Sequence, residues 1–167
     1  MPAALAGLLL ALGSAAAPAP PPDCVSGLCI GQPFDLLAAG GGWQVEDWPD
    51  PGSCTRVSGG RLPAGVAMML LDGRIARFDI GPSDGGDATP EAPFGLRRGM
   101  SLAEAGALLP DEGVEPELHK YAWPPGLYLT WRDAARDRAL RVELPDGVVE
   151  TILWGRLDAV QLTEGCA

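Results

Sequence analysis

The chain has 167 residues, of which 47% are hydrophobic and 20% charged, and it carries a net charge of −10. That is enough for one compact domain, and it is too acidic for a protein that reads nucleic acid or an anionic membrane surface, since both require basic patches. Lys120 is the one lysine among twelve basic residues, and with 23 glycines and 17 prolines the composition matches GC-rich coding, so a single Gly or Pro says less about local structure than usual.

Residues 1–16 hold no charged side chain, run apolar from Ala3 to Leu12 and end on small residues, the pattern of a signal peptide. The apolar run is too short for the roughly 20 residues that cross a bilayer, and Pro21-Pro22-Asp23 before Cys24 does not fit a lipid-anchoring site. The expected product is soluble, without membrane span or lipid anchor, and periplasmic or secreted. Residues 17–23 read as a proline-rich tether. Pro33, tolerable in a first turn, opens an expected helix through Phe34–Ala39 that Gly40-Gly41-Gly42 ends. Extended structure begins at Trp43, and Trp48–Gly52 is a turn cluster. Strands are expected near 54–57, 66–71 and 75–80, with Asp72-Gly73 as a hairpin turn. Residues 82–93 are rich in breakers and form a linker. Ser101-Leu102-Ala103-Glu104 is a capping box opening a second helix, which Pro110 stops near Leu109. Strands follow near 118–122, 128–131, 139–144, 148–154 and 159–162, with Asp146-Gly147 as a hairpin turn and 133–138 as a charged loop.

The two halves echo each other. Gly27-Leu28-Cys29-Ile30-Gly31 before an apolar run returns as Gly95-Leu96-Arg97-Arg98-Gly99, and the Asp72-Gly73 hairpin with its second strand returns around Asp146-Gly147. Order is kept while the spacing varies, as in a duplicated module. Leu140, Val142 and Leu144 alternate with Arg141 and Glu143, which suits a sheet with one buried and one solvated face. The expected fold class is therefore α+β: two tandem helix-plus-antiparallel-β-meander repeats, 24–81 and 94–167, with the helices packed on one face of the sheet.

Four cysteines in a short exported chain argue for two disulfides. Three pairings are open. Registering the halves places Cys54 in an early strand of the first and Cys166 at the end of the second, which favours Cys54 with Cys166 and Cys24 with Cys29.

Gly99-Met100-Ser101-Leu102-Ala103-Glu104-Ala105, a glycine turn running into a capped helix ahead of a meander, resembles the repeat of the β-lactamase-inhibitor-protein fold and of the small outer-membrane-assembly lipoproteins. The doubled unit looks more like the former. Glu117-Leu118-His119-Lys120-Tyr121 and the terminal Val160–Cys166 are similar to uncharacterised exported proteins of GC-rich bacteria. The resemblance implies a concave sheet that binds another protein, and no catalysis.

Chemistry-bearing residues are sparse. His119 is the one histidine, with Glu117 able to orient it, but no G-x-S-x-G elbow accompanies it. Asp84-Gly85-Gly86-Asp87 lacks the alternation and closing Glu of a calcium loop. No catalytic, metal or cofactor-binding residue is therefore assigned. Tyr121 and Trp123 at a hairpin mouth, with Arg141 and Glu143 on the sheet face opposite the helices, form the candidate surface for a protein partner, because Trp, Tyr and Arg dominate recognition. The rival readings are a small periplasmic hydrolase using His119 and a structural envelope component.

Overall fold

A computed structural model describes residues 21–46, 54–82, 90–123 and 125–166. The expected signal peptide, the Trp48–Gly52 turn cluster and the Asp84–Asp87 stretch lie outside them. A two-stranded hairpin, β1 (Cys24–Val25) and β2 (Leu28–Cys29), comes first. The first half continues as the meander β3 (Trp43–Glu46), β4 (Cys54–Gly59), β5 (Ala67–Leu71) and β6 (Arg74–Ile80). The second half is helix α1 (Leu102–Leu108), the meander β7 (Val114–Leu118), β8 (Leu127–Asp133), β9 (Arg138–Leu144) and β10 (Thr151–Arg156), and the short helix α2 (Leu157–Val160). The meanders join through their last strands into one eight-stranded antiparallel sheet in the order β3-β4-β5-β6-β10-β9-β8-β7.

This corrects the expected α+β class. The fold is mostly β, and among the described residues the first half has no helix on its sheet. The reason lies in Phe34–Ala39. The Asp35 carboxylate accepts from the Leu37 and Ala38 amides at 2.9 and 3.3 Å, the bonds of an N-cap, so a helical turn starts here but does not propagate. A single helical bond follows, from the Ala39 amide to the Asp35 carbonyl, before Gly40 at φ 81° ends the segment. Leu37 is left 95% exposed. Pro33 and Leu36 stand where the second half has Ser101 and Glu104, so the first half cannot form the capping box that starts α1. There the Ser101 hydroxyl accepts from the Glu104 amide and the Glu104 carboxylate accepts from the Ser101 amide at 2.8 Å. Two strand positions also differ. The strand expected at 118–122 ends at Leu118, and the first two residues of 159–162 belong to α2. Pro116 fits β7 because β7 is an edge strand, where a missing N–H costs no ladder bond.

Outside the helix the halves share an equivalent tie. The Gly31 amide donates to the Ile75 carbonyl, the Ile75 amide to the Gln32 carbonyl and the Phe34 amide to the Gly73 carbonyl. In the second half Gly99 donates to Val149, Val149 to Met100 and Leu102 to Gly147. Bridges Pro33 to Arg74 and Ser101 to Val148 complete each set. In each half the tie docks the glycine-turn segment on the chain just after the Asp-Gly turn, over the apolar face. Asp72 and Gly73 have φ values of 50° and 69°, the paired positive angles of a tight hairpin.

Strand alternation sorts the sheet into two faces. Val57, Met68, Phe78, Ile80, Leu140, Val142, Ile152 and Trp154 are buried on one of them, under Leu28, Leu96, Ala105 and Leu109. At the seam, Gly155 pairs with Arg77 on one side and Ala139 on the other. A Cβ at Gly155 would overlap the Ala76 carbonyl oxygen and come within 2.5 Å of the Arg77 Cα. Cys24 is bonded to Cys29 and Cys54 to Cys166, with no free cysteine among the described residues. Two disulfides suit an oxidising environment. No helix among the described residues is long and apolar enough to cross a membrane.

Gly155→Ala should destabilise the protein by about 3 kcal/mol, as backbone on β6 has to move to admit the methyl group. Gly106→Ala, in α1 with open space around it, should stabilise it by about 1 kcal/mol. Urea midpoints of the two variants against the parent check both signs.

Candidate functional site

The side of the sheet opposite the core is polar at its centre. Asp79, 2% exposed, accepts from Arg77 Nε at 2.7 Å and from Arg56 Nε at 3.2 Å, and Arg56 also pairs with Glu46 on β3. The other end of the Arg77 guanidinium donates to the Ala159 and Leu162 carbonyls, both at 2.8 Å. Arg77 therefore fastens the C-terminal segment across the sheet, and the Cys54–Cys166 bond secures its end to β4. Ala159 and Val160 are fully buried, against Met69 and Ala76 and against Ala139 and Leu153 respectively.

The face expected to lie open is thus crossed by α2 and the residues after it, which leaves a cleft on each side. One, of about 300 Å³, lies by Arg56, Asp79, Glu143 and Thr163. The other, of about 490 Å³, lies between β7, β8 and β9, with Gln161 at its rim. Arg141, expected on an exposed surface, is 4% exposed. Its Nε donates to Thr130 Oγ1 at 3.1 Å, and its guanidinium carbon sits 4.9 Å from the centre of the Tyr128 ring. Burial pulls its pKa down, while Glu117 and Glu143 act in the opposite direction. Glu143 is half-buried, and desolvation raises its carboxyl pKa against the pull of Arg141 and Arg77.

Tyr121 and Trp123 are placed differently. Beyond Leu118 the His119 amide donates to the Gly126 carbonyl at 3.0 Å, and the Gly126 amide donates back to the Trp123 carbonyl at 2.9 Å, closing the loop. The Tyr121 amide donates to His119 Nδ1 at 3.1 Å, and the Lys120 amide to the Tyr128 hydroxyl oxygen at 3.3 Å. The His119 ring lies on the Tyr128 ring, 4.4 Å between centroids. Braced from beneath in this way, the loop presents Tyr121 at 63% exposure and Trp123 at 90%, beside Leu118 at 73%. The Tyr121 hydroxyl donates to Glu164 in the C-terminal segment. The structure therefore sets the two aromatics apart from Arg141 and Glu143: the former project from the loop, the latter line clefts beneath the C-terminal crossing.

His119 works as a loop brace in this arrangement. Desolvation lowers its pKa, which keeps the ring neutral with Nδ1 as an acceptor. Glu117, which could have oriented it, faces Arg141 and Arg132 instead. The Ser101 hydroxyl is engaged in the capping box, and Ser53 and Ser83 lie outside the described residues. Among the described residues no group of three or more His, Cys, Asp or Glu side chains is placed to hold a metal ion.

Sequence reasoning missed the Arg56–Asp79–Arg77 network and the C-terminal crossing. The signal for the first was present in Arg77-Phe78-Asp79, where charges alternate with a core residue in the middle of an apolar strand. Comparison with protein-family models, with curated proteins and with solved structures finds no match.

A carboxyl whose pKa is raised by folding holds its proton more tightly in the folded chain, so its contribution to stability is present at low pH and fades as the pH rises through the raised value. Glu143→Gln should remove that fade and leave the protein more stable than the parent at neutral pH. Denaturation midpoints across a pH series check this, and a parent and variant with parallel profiles would contradict it.

Proposed function

We propose that the protein is a non-enzymatic binding module, periplasmic or secreted, that engages an envelope or extracellular protein through the loop carrying Tyr121 and Trp123. The observation that carries this reading is the exposure of Leu118, Tyr121 and Trp123 together at one sheet edge, on a loop held by four hydrogen bonds. A tryptophan left 90% in water contributes nothing to the core. Held in a pre-formed loop, it is suited to filling an apolar pocket on a partner at little cost in ordering. The resemblance of Gly99–Ala105 to the β-lactamase-inhibitor-protein repeat points to the same kind of work, and two disulfides suit life outside the cytosol.

The test is capture from an envelope extract by the mature protein, with Trp123→Ala alongside as a control. A saturable partner should be retained by the parent and weakened by about 2 kcal/mol, roughly 30-fold, in the variant. Thermal unfolding of the variant should match the parent, because the side chain is exposed. A partner that binds the Tyr121→Ala/Trp123→Ala double variant as tightly as the parent would refute the reading.

A further inference from the structure

The cleft between β7, β8 and β9 differs in charge from the rest of the protein. In a chain of net charge −10 its lining includes Lys120, Arg132 and Arg141 against the single carboxylate of Glu117. The cleft on the other side of the C-terminal crossing is lined by more acids than bases. The basic groups are also incompletely satisfied. Glu117 reaches Arg141 at 3.4 Å and Arg132 at 3.7 Å, well beyond the roughly 2.7–2.9 Å of a charge-assisted hydrogen bond. Arg132 Nε is buried with no hydrogen bond, the Glu115 carboxylate being 3.3 Å away but out of line. Arg141 is more than nine-tenths buried, and one of its terminal nitrogens has no bond among the described residues. The Tyr128 hydroxyl accepts from the Lys120 amide and keeps its own proton to donate.

We propose that this cleft is a binding site for a carboxylate-bearing ligand, with Arg141 at its floor, Arg132 and Lys120 at its rim, and Glu117 as an internal stand-in that a ligand carboxylate displaces. A carboxylate is the fitting class because one already bridges the two guanidiniums loosely, and because guanidinium and carboxylate match in planar geometry. Burial of Arg141 strengthens the interaction beyond what a surface arginine offers, since little water competes. The cleft volume of about 490 Å³ admits a small polycarboxylate or an acidic side chain of a peptide. The site adjoins the Trp123 loop through Leu118 and Lys120, but it needs no apolar anchor and is read with small probes.

The experiment titrates citrate, an amidated peptide of alternating Asp and Gly, and inorganic sulfate into the full mature protein, following the arginine Nε–H signals by NMR. Saturable shifts of the Arg132 and Arg141 signals with citrate alone identify a free carboxylate as the ligand source, and shifts with the peptide alone identify a protein side chain. Either supports the site. Glu117→Gln should tighten the responding probe about fivefold by removing the internal competitor, and Arg132→Gln should weaken it about tenfold. Arg141→Met should abolish the response, and Arg132→Gln, altering a partly exposed side chain, keeps the test valid if the buried substitution prevents folding. No saturable shift with any probe, equal response to sulfate, or a Glu117→Gln variant that binds no tighter would overturn the assignment.

Discussion

The pairing of β6 with β10 is the constraint on which the rest of the structure depends. Each meander ends on that strand, so joining them there turns two four-stranded sheets, each with an unpaired last edge, into one sheet whose outer edges are β3 and β7. The seam is tight because residue 155 is glycine, which lets β10 approach the Ala76–Arg77 backbone more closely than any side chain would permit. Closing it makes the apolar face continuous: Phe78 lies opposite Trp154 across the seam, their rings 5.6 Å apart, and Ile80 lies opposite Ile152. Burying those pairs repays the ordering of two otherwise separate meanders.

The same seam makes the polar face continuous and decides what crosses it. Once β10 ends at Arg156, the chain is at the middle of the sheet, and α2 turns it back over Met69, Ala76, Ala139 and Leu153. Arg77 is held by Asp79 on one side and offers its other nitrogens to two carbonyls of the returning chain. A buried guanidinium is costly unless its donors are used, and here the C-terminal segment uses them. The disulfide to Cys54 then fixes the end of the segment at β4, next to the outer strand of the first meander. The division of the polar face into two clefts follows from this arrangement.

Local devices were legible in the sequence because their physics is local. The two Asp-Gly turns, the Ser101–Glu104 box and most strands of both meanders depend on residues a few positions apart. The equivalence of Gly31 with Gly99 and of Gly73 with Gly147 was legible too, since the docking bonds at these positions recur in both halves. Carrying the helix over from the second half to the first was the misreading. Repetition of the flanking glycines concealed the replacement of Ser101 and Glu104 by Pro33 and Leu36, and Gly40 ends the turn capped by Asp35 after one helical bond. The exposure of Trp123 was expected from its place at a hairpin mouth, but the burial of Arg141 was not. Alternation assigns a residue to a face and is silent on what later folds over that face.

Net charge is a poor guide to local recognition here for a physical reason. At ordinary salt, charges separated by more than about 8–10 Å are screened when they face solvent, so most acidic groups at a distance act weakly on a buried cleft. What a ligand meets is the set of groups lining it, and around Arg141 that set is basic although the chain is acidic. Nucleic acid and anionic lipid both demand extended basic surfaces. A local basic cleft makes no such demand, and the burial of Arg141 raises the worth of its guanidinium. Face polarity, seam and C-terminal crossing together build that cleft out of residues that, one at a time, read as ordinary strand charges.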